Sequence, residues 1–440
     1  MFNLKLSETK QKVISNLAWA VAGKTINLAG TLVLGIIVAR YLGPRQYGLM
    51  NYVISYVFLF QTLASFGLDS IEVREEAKKA VPYNVIVGTA FFIKLIFGTI
   101  CIGLSIATAF LLAEDSFTIS LIAIYATYIV FNSFVVIRNY FTAIVRNKYV
   151  VMSEIFRTFV GIAIKVVLLL LNCSLEWFVA AFAFDWILLA GGYISAYKTH
   201  VGSIKDWRFS ASYARYMLKE SFPLLITNAA VIIYQRIDQV MIGQLVDKTN
   251  VGYFSVAAKF VEVMIFIPAT LANTISPVLV KLRKENFSLY AAKAQQFMNI
   301  SLWTSIICST VVTMISYWII RFTFGEDYLP AVAILQILSF KMTATALSNT
   351  AGAMLIVEGL QRWVFLRDIS GCIVCVALNY WLLPKYGVIA AAFVAIASNI
   401  AAGYLADALI PAYRHLFVKQ TKAIFMGWRD MIKIRHLLNT

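Results

Sequence analysis

Long apolar runs alternate with short polar breaks along almost the whole chain. Within several runs the polar and small residues recur every three or four positions, as one face of a helix does. About 20 residues cross the hydrocarbon core as a helix. On that length the pattern predicts twelve spans, near residues 13–39, 48–66, 84–112, 117–144, 151–171, 175–197, 220–245, 252–279, 295–322, 331–357, 363–383 and 386–410. The expected fold class is an all-α polytopic membrane protein.

Polar stripes mark one face of several spans. Asn16, Gly23, Lys24, Asn27 and Thr31 share a face of the first, and Lys94, Gly98, Cys101, Ser105 and Thr108 of the third. Glu154, Arg157, Gly161 and Lys165 do so in the fifth, and Lys341, Thr345, Ser348 and Gly352 in the tenth. Small residues alone are equally read as tight helix–helix contacts. A cation at a helix centre costs roughly 2.5–3.5 kcal/mol, so a series of them on polar faces points to a water-filled passage for something negatively charged.

The pattern also occurs twice. Gln46, Tyr47, Gly48 and Leu49 open the second span and Asn250, Val251, Gly252 and Tyr253 the eighth, an offset of 204 residues. Asn51, Ser55, Phe58, Thr62 and Ser65 share a face, and the same offset gives Ser255, Lys259, Glu262, Phe266 and Ala269, which again share one. The expectation is two six-helix lobes around a central cavity, a common transporter plan with the site between the repeats. The lobes are expected at residues 1–197 and 220–410, joined by a basic cytoplasmic linker at 198–219 and followed by a basic amphipathic tail at 411–440.

Composition agrees: 60% of residues are hydrophobic and 14% charged. The net charge of +16 follows the topology. With a cytoplasmic amino terminus, 24 of the 38 lysines and arginines fall on inner loops and the tail and four on outer loops. That bias orients both termini to the cytoplasm and explains the basic balance without nucleic acid. No small-residue cleavage site follows a short apolar core, so the first span is expected to be retained. The five cysteines lie in or beside spans, which argues against a disulfide framework. His200, His415 and His436 all fall on loops or the tail, which excludes a histidine metal cluster or triad at membrane depth. Cys372 and Cys375 read as core residues, and no phosphate-binding glycine loop follows a strand. With short outer loops as well, a transporter without cofactor or metal is expected rather than an enzyme.

The candidate cationic lining is Lys24, Lys94, Arg157, Lys165, Arg236, Lys259, Lys341 and Arg367, while Arg138 and Arg321 read as residues that snorkel from span ends. At depth lie the carboxylates Glu154, Asp185, Asp238, Glu262 and Asp368. Glu154 with Arg157 and Glu262 with Lys259 are one turn apart and expected to pair. The sharper reading gives Asp238, Glu262 or Glu154 to uptake of Na+ or H+ during a transport cycle. Arg40, Asp69 and Arg74 stand at helix boundaries as candidate gates, or as ordinary caps and anchors. In the tail, Ile424, Phe425, Trp428, Met431 and Ile432 oppose Lys419, Lys422, Arg429 and Lys433, the pattern of a helix lying on the anionic leaflet.

Ordered blocks of residues then resemble a known family. They are Asn16 and Trp19; Val38 to Pro44 with Tyr47 and Gly48; Phe66, Gly67, Leu68 and Asp69 with Arg74 and Glu75; and Phe222 to Leu225. Tyr234, Arg236 to Gly243, Val251 to Tyr253, Ser276 with Pro277, and Phe324, Gly325 and Tyr328 complete them. Together these resemble polysaccharide flippases of the Wzx type, in the multidrug/oligosaccharidyl-lipid/polysaccharide exporter superfamily. The resemblance implies two six-helix lobes, a cationic cavity and residence in a bacterial inner membrane. Its implied activity carries a polyprenyl-diphosphate-linked glycan, such as an O-antigen repeat unit, from the cytoplasmic to the outer leaflet, alongside other membrane proteins of polysaccharide assembly. Related peptidoglycan-precursor flippases use basic residues in the first and eighth spans, where this chain has Lys24 and Lys259. They also carry two further helices that this chain lacks. The alternatives are an ion-coupled exporter of drugs or metabolites in the same superfamily, or a membrane enzyme of polysaccharide assembly.

Overall fold

The computed structural model describes residues 8–432 and, within 29–430 apart from 267, 271, 273 and 274, their side chains. Among the described residues the regular structure is helical throughout. The helices are α1 (Glu8–Ser65), α2 (Leu68–Lys78), α3 (Tyr83–Leu111), α4 (Ser116–Ala126), α5 (Tyr128–Asn132), α6 (Val135–Ala143), α7 (Asn147–Leu170), α8 (Leu175–His200) and α9 (Ala211–Leu245). They continue with α10 (Lys248–Glu285), α11 (Phe287–Thr323), α12 (Ala331–Leu338), α13 (Lys341–Glu358), α14 (Val364–Tyr386), α15 (Val388–Ile400), a π turn at Ala401–Leu405, α16 (Ala406–Leu409), α17 (Arg414–Met426) and α18 (Trp428–Ile432).

Ten helical stretches are long and apolar enough to cross a membrane. Dividing α1 at its kink and adding the 24-residue α7 makes twelve. The protein is an all-α polytopic membrane protein of twelve spans in two six-helix lobes. The kink in α1 falls at Gly43, whose φ of 69° and ψ of 171° suit glycine, and the following Pro44 has no amide hydrogen to donate. Starts are set by local chemistry too. Asp247 accepts from the Asn250 amide at 2.8 Å to open α10, and Asn286 accepts from that of Leu289 at 3.0 Å to open α11. Asp115 takes the hydroxyl and amide of Thr118 at the head of α4, which holds its carboxyl below the usual range.

By contact the chain forms two compact units: the residues up to Leu42 with Val53–Ala229, and Gly43–Tyr52 with Ala230 onward. The first has a core of Leu68, Ile71, Ile93, Phe141, Tyr193 and Met217. The second packs Tyr290, Phe297, Leu302, Met354, Tyr413 and Leu416. The 198–219 segment, expected to be a separate linker, is part of the first unit. The Arg208 amide donates to Asn84 O at 3.1 Å, the Ser210 amide donates to Thr89 Oγ1 at 3.2 Å, and the Trp207 ring lies 5.1 Å from that of Phe91. The half-buried Trp207 indole packs on this core against Phe91 and Tyr197.

Within the second unit, α1 and α10 cross at bare backbone. A Cβ on Gly48 would overlap the Lys248 carbonyl, and one on Gly252 would overlap the Pro44 carbonyl. The offset that relates Gly48 to Gly252 also relates Pro44 to Lys248, so the contact is reciprocal, as across a local two-fold axis. The internal repeat is thus visible as packing.

The tail helix α17 departs from expectation. It docks on the second unit through buried Leu416, Gln420 and Ala423, with Gln420 Nε2 donating to Gly403 O at 2.6 Å and Trp303 Nε1 donating to Ala423 O at 3.0 Å. The apolar face that the sequence pattern favours is divided: Ile424 packs on the core of the second unit, while Phe425 is 71% exposed and Trp428 is exposed as well. The side chains of Met431 and Ile432, and Lys433, lie outside the described residues. Hydrogen bonds from a buried glutamine are invisible to hydrophobic patterning, and they choose the docked face. At the opposite end of the spans, Arg321 donates to Tyr317 and Glu326 beside exposed Trp318, and Lys385 lies over Trp381, an interfacial arrangement.

Gly48→Ala or Gly252→Ala should destabilise by roughly 1–3 kcal/mol or more through overpacking. Gly103→Ala, with open space at its Cβ position, should not. Thermal unfolding of the purified protein separates these outcomes, and equal midpoints for all three would refute the crossing.

Candidate functional site

Several of the deep cations are paired. Lys165 on α7 is 1% exposed. Its Nζ donates to both carboxylate oxygens of Asp185 on α8, at 2.8 and 2.7 Å, and to Gly161 O at 3.3 Å, while standing 4.5 Å from the Phe182 ring centroid. Lys94 on α3 is 4% exposed and lies 2.6 Å from both Asp69 and Glu72 on α2. Asn139 on α6 donates to the same two carboxylates, at 2.9 and 2.6 Å. These pairings hold Lys94 and Lys165 in buried ion pairs, where lining of a water-filled passage was expected. The partners come from other helices, so one-turn spacing does not reveal them.

Arg367 on α14 is likewise buried, 3.2 Å from Asp407. Its Nε donates to Ala402 O at 3.0 Å and its Nη2 to Gly403 O at 3.4 Å and Ser348 Oγ at 3.3 Å. Both carbonyls belong to the π turn, whose register leaves backbone acceptors for side chains to satisfy. Arg367 therefore stabilises an irregular helix; open lumen lining was expected. Glu72 and Asp407 carry no sequence-based expectation because they sit near span ends. A search for acids on neighbouring helices at matching depth is the signal that finds them.

A different balance holds in the second unit. Arg236 on α9 lies 3.2 Å from Glu262 on α10, and both side chains are part exposed. Lys259, one turn before Glu262 and its expected partner, and Lys341 on α13 are within electrostatic reach of the same carboxylate. Among the described residues neither lysine has an ion pair, so three cations gather around one glutamate. Beside them Asp238 is buried: Asn379 Nδ2 donates to its Oδ1 at 2.6 Å and Cys375 Sγ at 3.3 Å, while among the described residues Oδ2 has no hydrogen-bond partner. Cys375 is thus more than apolar filler.

The remaining candidates separate. Glu154 accepts from Tyr193 Oη at 3.2 Å, and Arg157 lines a small cavity in the first unit. Arg74 lies 2.9 Å from both Glu75 and Glu220, tying α2 to α9. Asp69 belongs to the Lys94 cluster, and Arg40 is exposed. The side chain of Lys24 lies outside the described residues.

Residues 13–283 match the family model described as polysaccharide biosynthesis protein, and residues 223–381 match that of MatE. Comparison with curated protein sequences returns no match. Among solved structures, the chain is similar to the lipid II flippase MurJ in an inward closed conformation, with TM-score 0.71 and 16% identity over 94% of this chain and 92% of that one. It is also similar to an inward-facing multidrug resistance MATE transporter of the MOP superfamily, with TM-score 0.67 and 14% identity over 91% and 96%. A MOP superfamily transporter from Pyrococcus furiosus, described as having a binding pocket of reverse polarity, matches at TM-score 0.58 and 12% identity over 94% of each chain. These three share the fold. The first family match extends over more than half of the sequence, and on that ground the chain belongs to the polysaccharide biosynthesis protein family, whose structural neighbours are transporters and flippases.

Proposed function

We propose that the protein is a flippase for oligosaccharide linked to polyprenyl diphosphate, carrying it from the cytoplasmic to the outer leaflet of a bacterial inner membrane, with both termini in the cytoplasm. The observation that carries this reading is the cation excess of Arg236, Lys259 and Lys341 around Glu262. Glu262 and, through Lys341, Asp238 offset part of this charge, and the remaining cation excess suits an anionic diphosphate held by charge-assisted hydrogen bonds. Lys94, Lys165 and Arg367 are already compensated, so they maintain the bundle and do not draw the head group. With the cell interior negative, outward movement of each anionic charge is favoured by ~2.3 kcal/mol per 100 mV.

A second reading, an exporter coupled to Na+ or H+, is favoured by one observation: the unpartnered Oδ2 of buried Asp238 beside Asn379, in the stretch that matches MatE. We assign any ion coupling to Asp238 ahead of Glu262 or Glu154, which already hold Arg236 and Tyr193.

Deleting the gene should abolish surface polysaccharide and leave the lipid-linked repeat unit in the inner leaflet. Intact polysaccharide with altered drug tolerance would establish the exporter instead. Lys259→Ala and Lys341→Ala should each slow translocation in proteoliposomes by about tenfold or more, since a hydrogen bond to a charged group contributes roughly 1.5–3 kcal/mol. Unchanged rates would sink the assignment. Lys165→Met should instead cost stability, about 3–5 kcal/mol for stranding the buried Asp185. The double variant Lys165→Met/Asp185→Leu should recover it, and folded yield and thermal midpoint read both effects.

A further inference from the structure

We propose that the first unit contains a subsite for one pyranose ring of the transported glycan, a refinement that rests on the flippase reading. The site is a cavity of about 140 Å³ bounded by Thr31 on α1, Tyr125 on α4, Arg157 and Thr158 on α7, and Asp185 and Trp186 on α8. Drug-sized ligands occupy pockets of roughly 300–1,000 Å³. An apolar cavity of roughly 150 Å³ holds benzene, so this one is on the scale of a single six-membered ring with its substituents at the mouth and is too small for a repeat unit.

The lining has the two-sided character of a sugar. Pyranose rings present an apolar face of C–H bonds and a rim of hydroxyls. Trp186 and Tyr125 supply aromatic wall, and both are held by Tyr128, whose ring centroid lies 5.2 Å from that of Trp186 in a stacked arrangement and 4.7 Å from that of Tyr125. The wall is therefore fixed before a ligand arrives. Opposite chemistry comes from Asp185, whose two oxygens are oriented by Lys165 and keep lone pairs to accept from hydroxyls. The Arg157 guanidinium, 3.5 Å from Thr158 Oγ1, adds donors. A side chain at position 161 would strike Asp185, so Gly161 keeps the carboxylate in place.

The charges also choose among occupants. Lys165 spends its donors on Asp185 and Gly161, and the Asp185 carboxylate stands beside the Arg157 guanidinium, so the cavity offers an acceptor and a donor together, which hydroxyls satisfy on both sides and a diphosphate on only one. A prenyl or acyl chain would cover the remaining Asp185 lone pairs and the Arg157 guanidinium without offering them hydrogen bonds, which is costly. A polyhydroxylated ring satisfies them.

The test uses the full-length protein in lipid nanodiscs, with saturation-transfer NMR against methyl glucoside, methyl galactoside, methyl N-acetylglucosaminide and methyl glucuronide, and with inorganic pyrophosphate and octanol as contrasting probes. At least one pyranoside should bind saturably, and Trp186→Ala and the near-isosteric Thr158→Val, which removes the hydroxyl that accepts from Arg157, should each weaken it by about tenfold, the loss expected of a good contact in a small site. Pyrophosphate should bind equally to both variants and be weakened by Lys259→Ala. Absence of pyranoside binding, pyranoside binding that folded Thr158→Val leaves unchanged, or octanol displacing every pyranoside would overturn the subsite. Loss of the pyrophosphate result alone would count against the flippase reading and leave the subsite standing.

Discussion

Charge compensation inside apolar helices is the constraint on which this structure depends. A lone ammonium or carboxylate at bilayer depth is too costly to keep, so each must find a partner on another helix, reach an interface or face water. Lys165 finds Asp185 on α8, Lys94 finds Asp69 and Glu72 on α2, and Arg367 finds Asp407 beyond the π turn. Each pair also fixes how two elements meet, because breaking it leaves a buried charge behind. The charges that resemble a transport pathway in one dimension are in good part the fasteners of the bundle.

Backbone proximity is the second fastener. Glycines at 48 and 252 let α1 and α10 touch main chain to main chain, and the reciprocity of that contact reflects the duplicated pattern. The π turn at 401–405 is compensated in a related manner: it releases carbonyls, and Arg367 and Gln420 occupy them. That compensation draws α17 onto the second unit.

What remains uncompensated is then informative. Once the structural pairs are set aside, Arg236, Lys259 and Lys341 remain grouped around Glu262 among the described residues, and the Arg236–Glu262 pair there is partly exposed. Tight pairing suits scaffolding, whereas a site that binds and releases an anionic head group needs charges not already committed. The first-unit cavity differs again, with Lys165 and Asp185 paired to each other and aromatic walls beside them. A fold shared with multidrug transporters and with a lipid II flippase leaves function to such local chemistry.

The sequence by itself determined the helical membrane class, the twelve spans and the duplicated pattern, because hydrophobic length and 3.6-residue periodicity are local properties. It also singled out Arg236, Lys259, Lys341, Asp238 and Glu262. Which charges pair was decided only by tertiary structure: Glu262 meets Arg236 on another helix, and Lys94 and Lys165 meet acids more than 19 residues away in sequence. The same holds for the docked face of α17, chosen by the Gln420 hydrogen bond, and for segment 198–219, anchored by Trp207. Desolvated electrostatics act through space at a few ångströms, and sequence spacing records only neighbours along one helix.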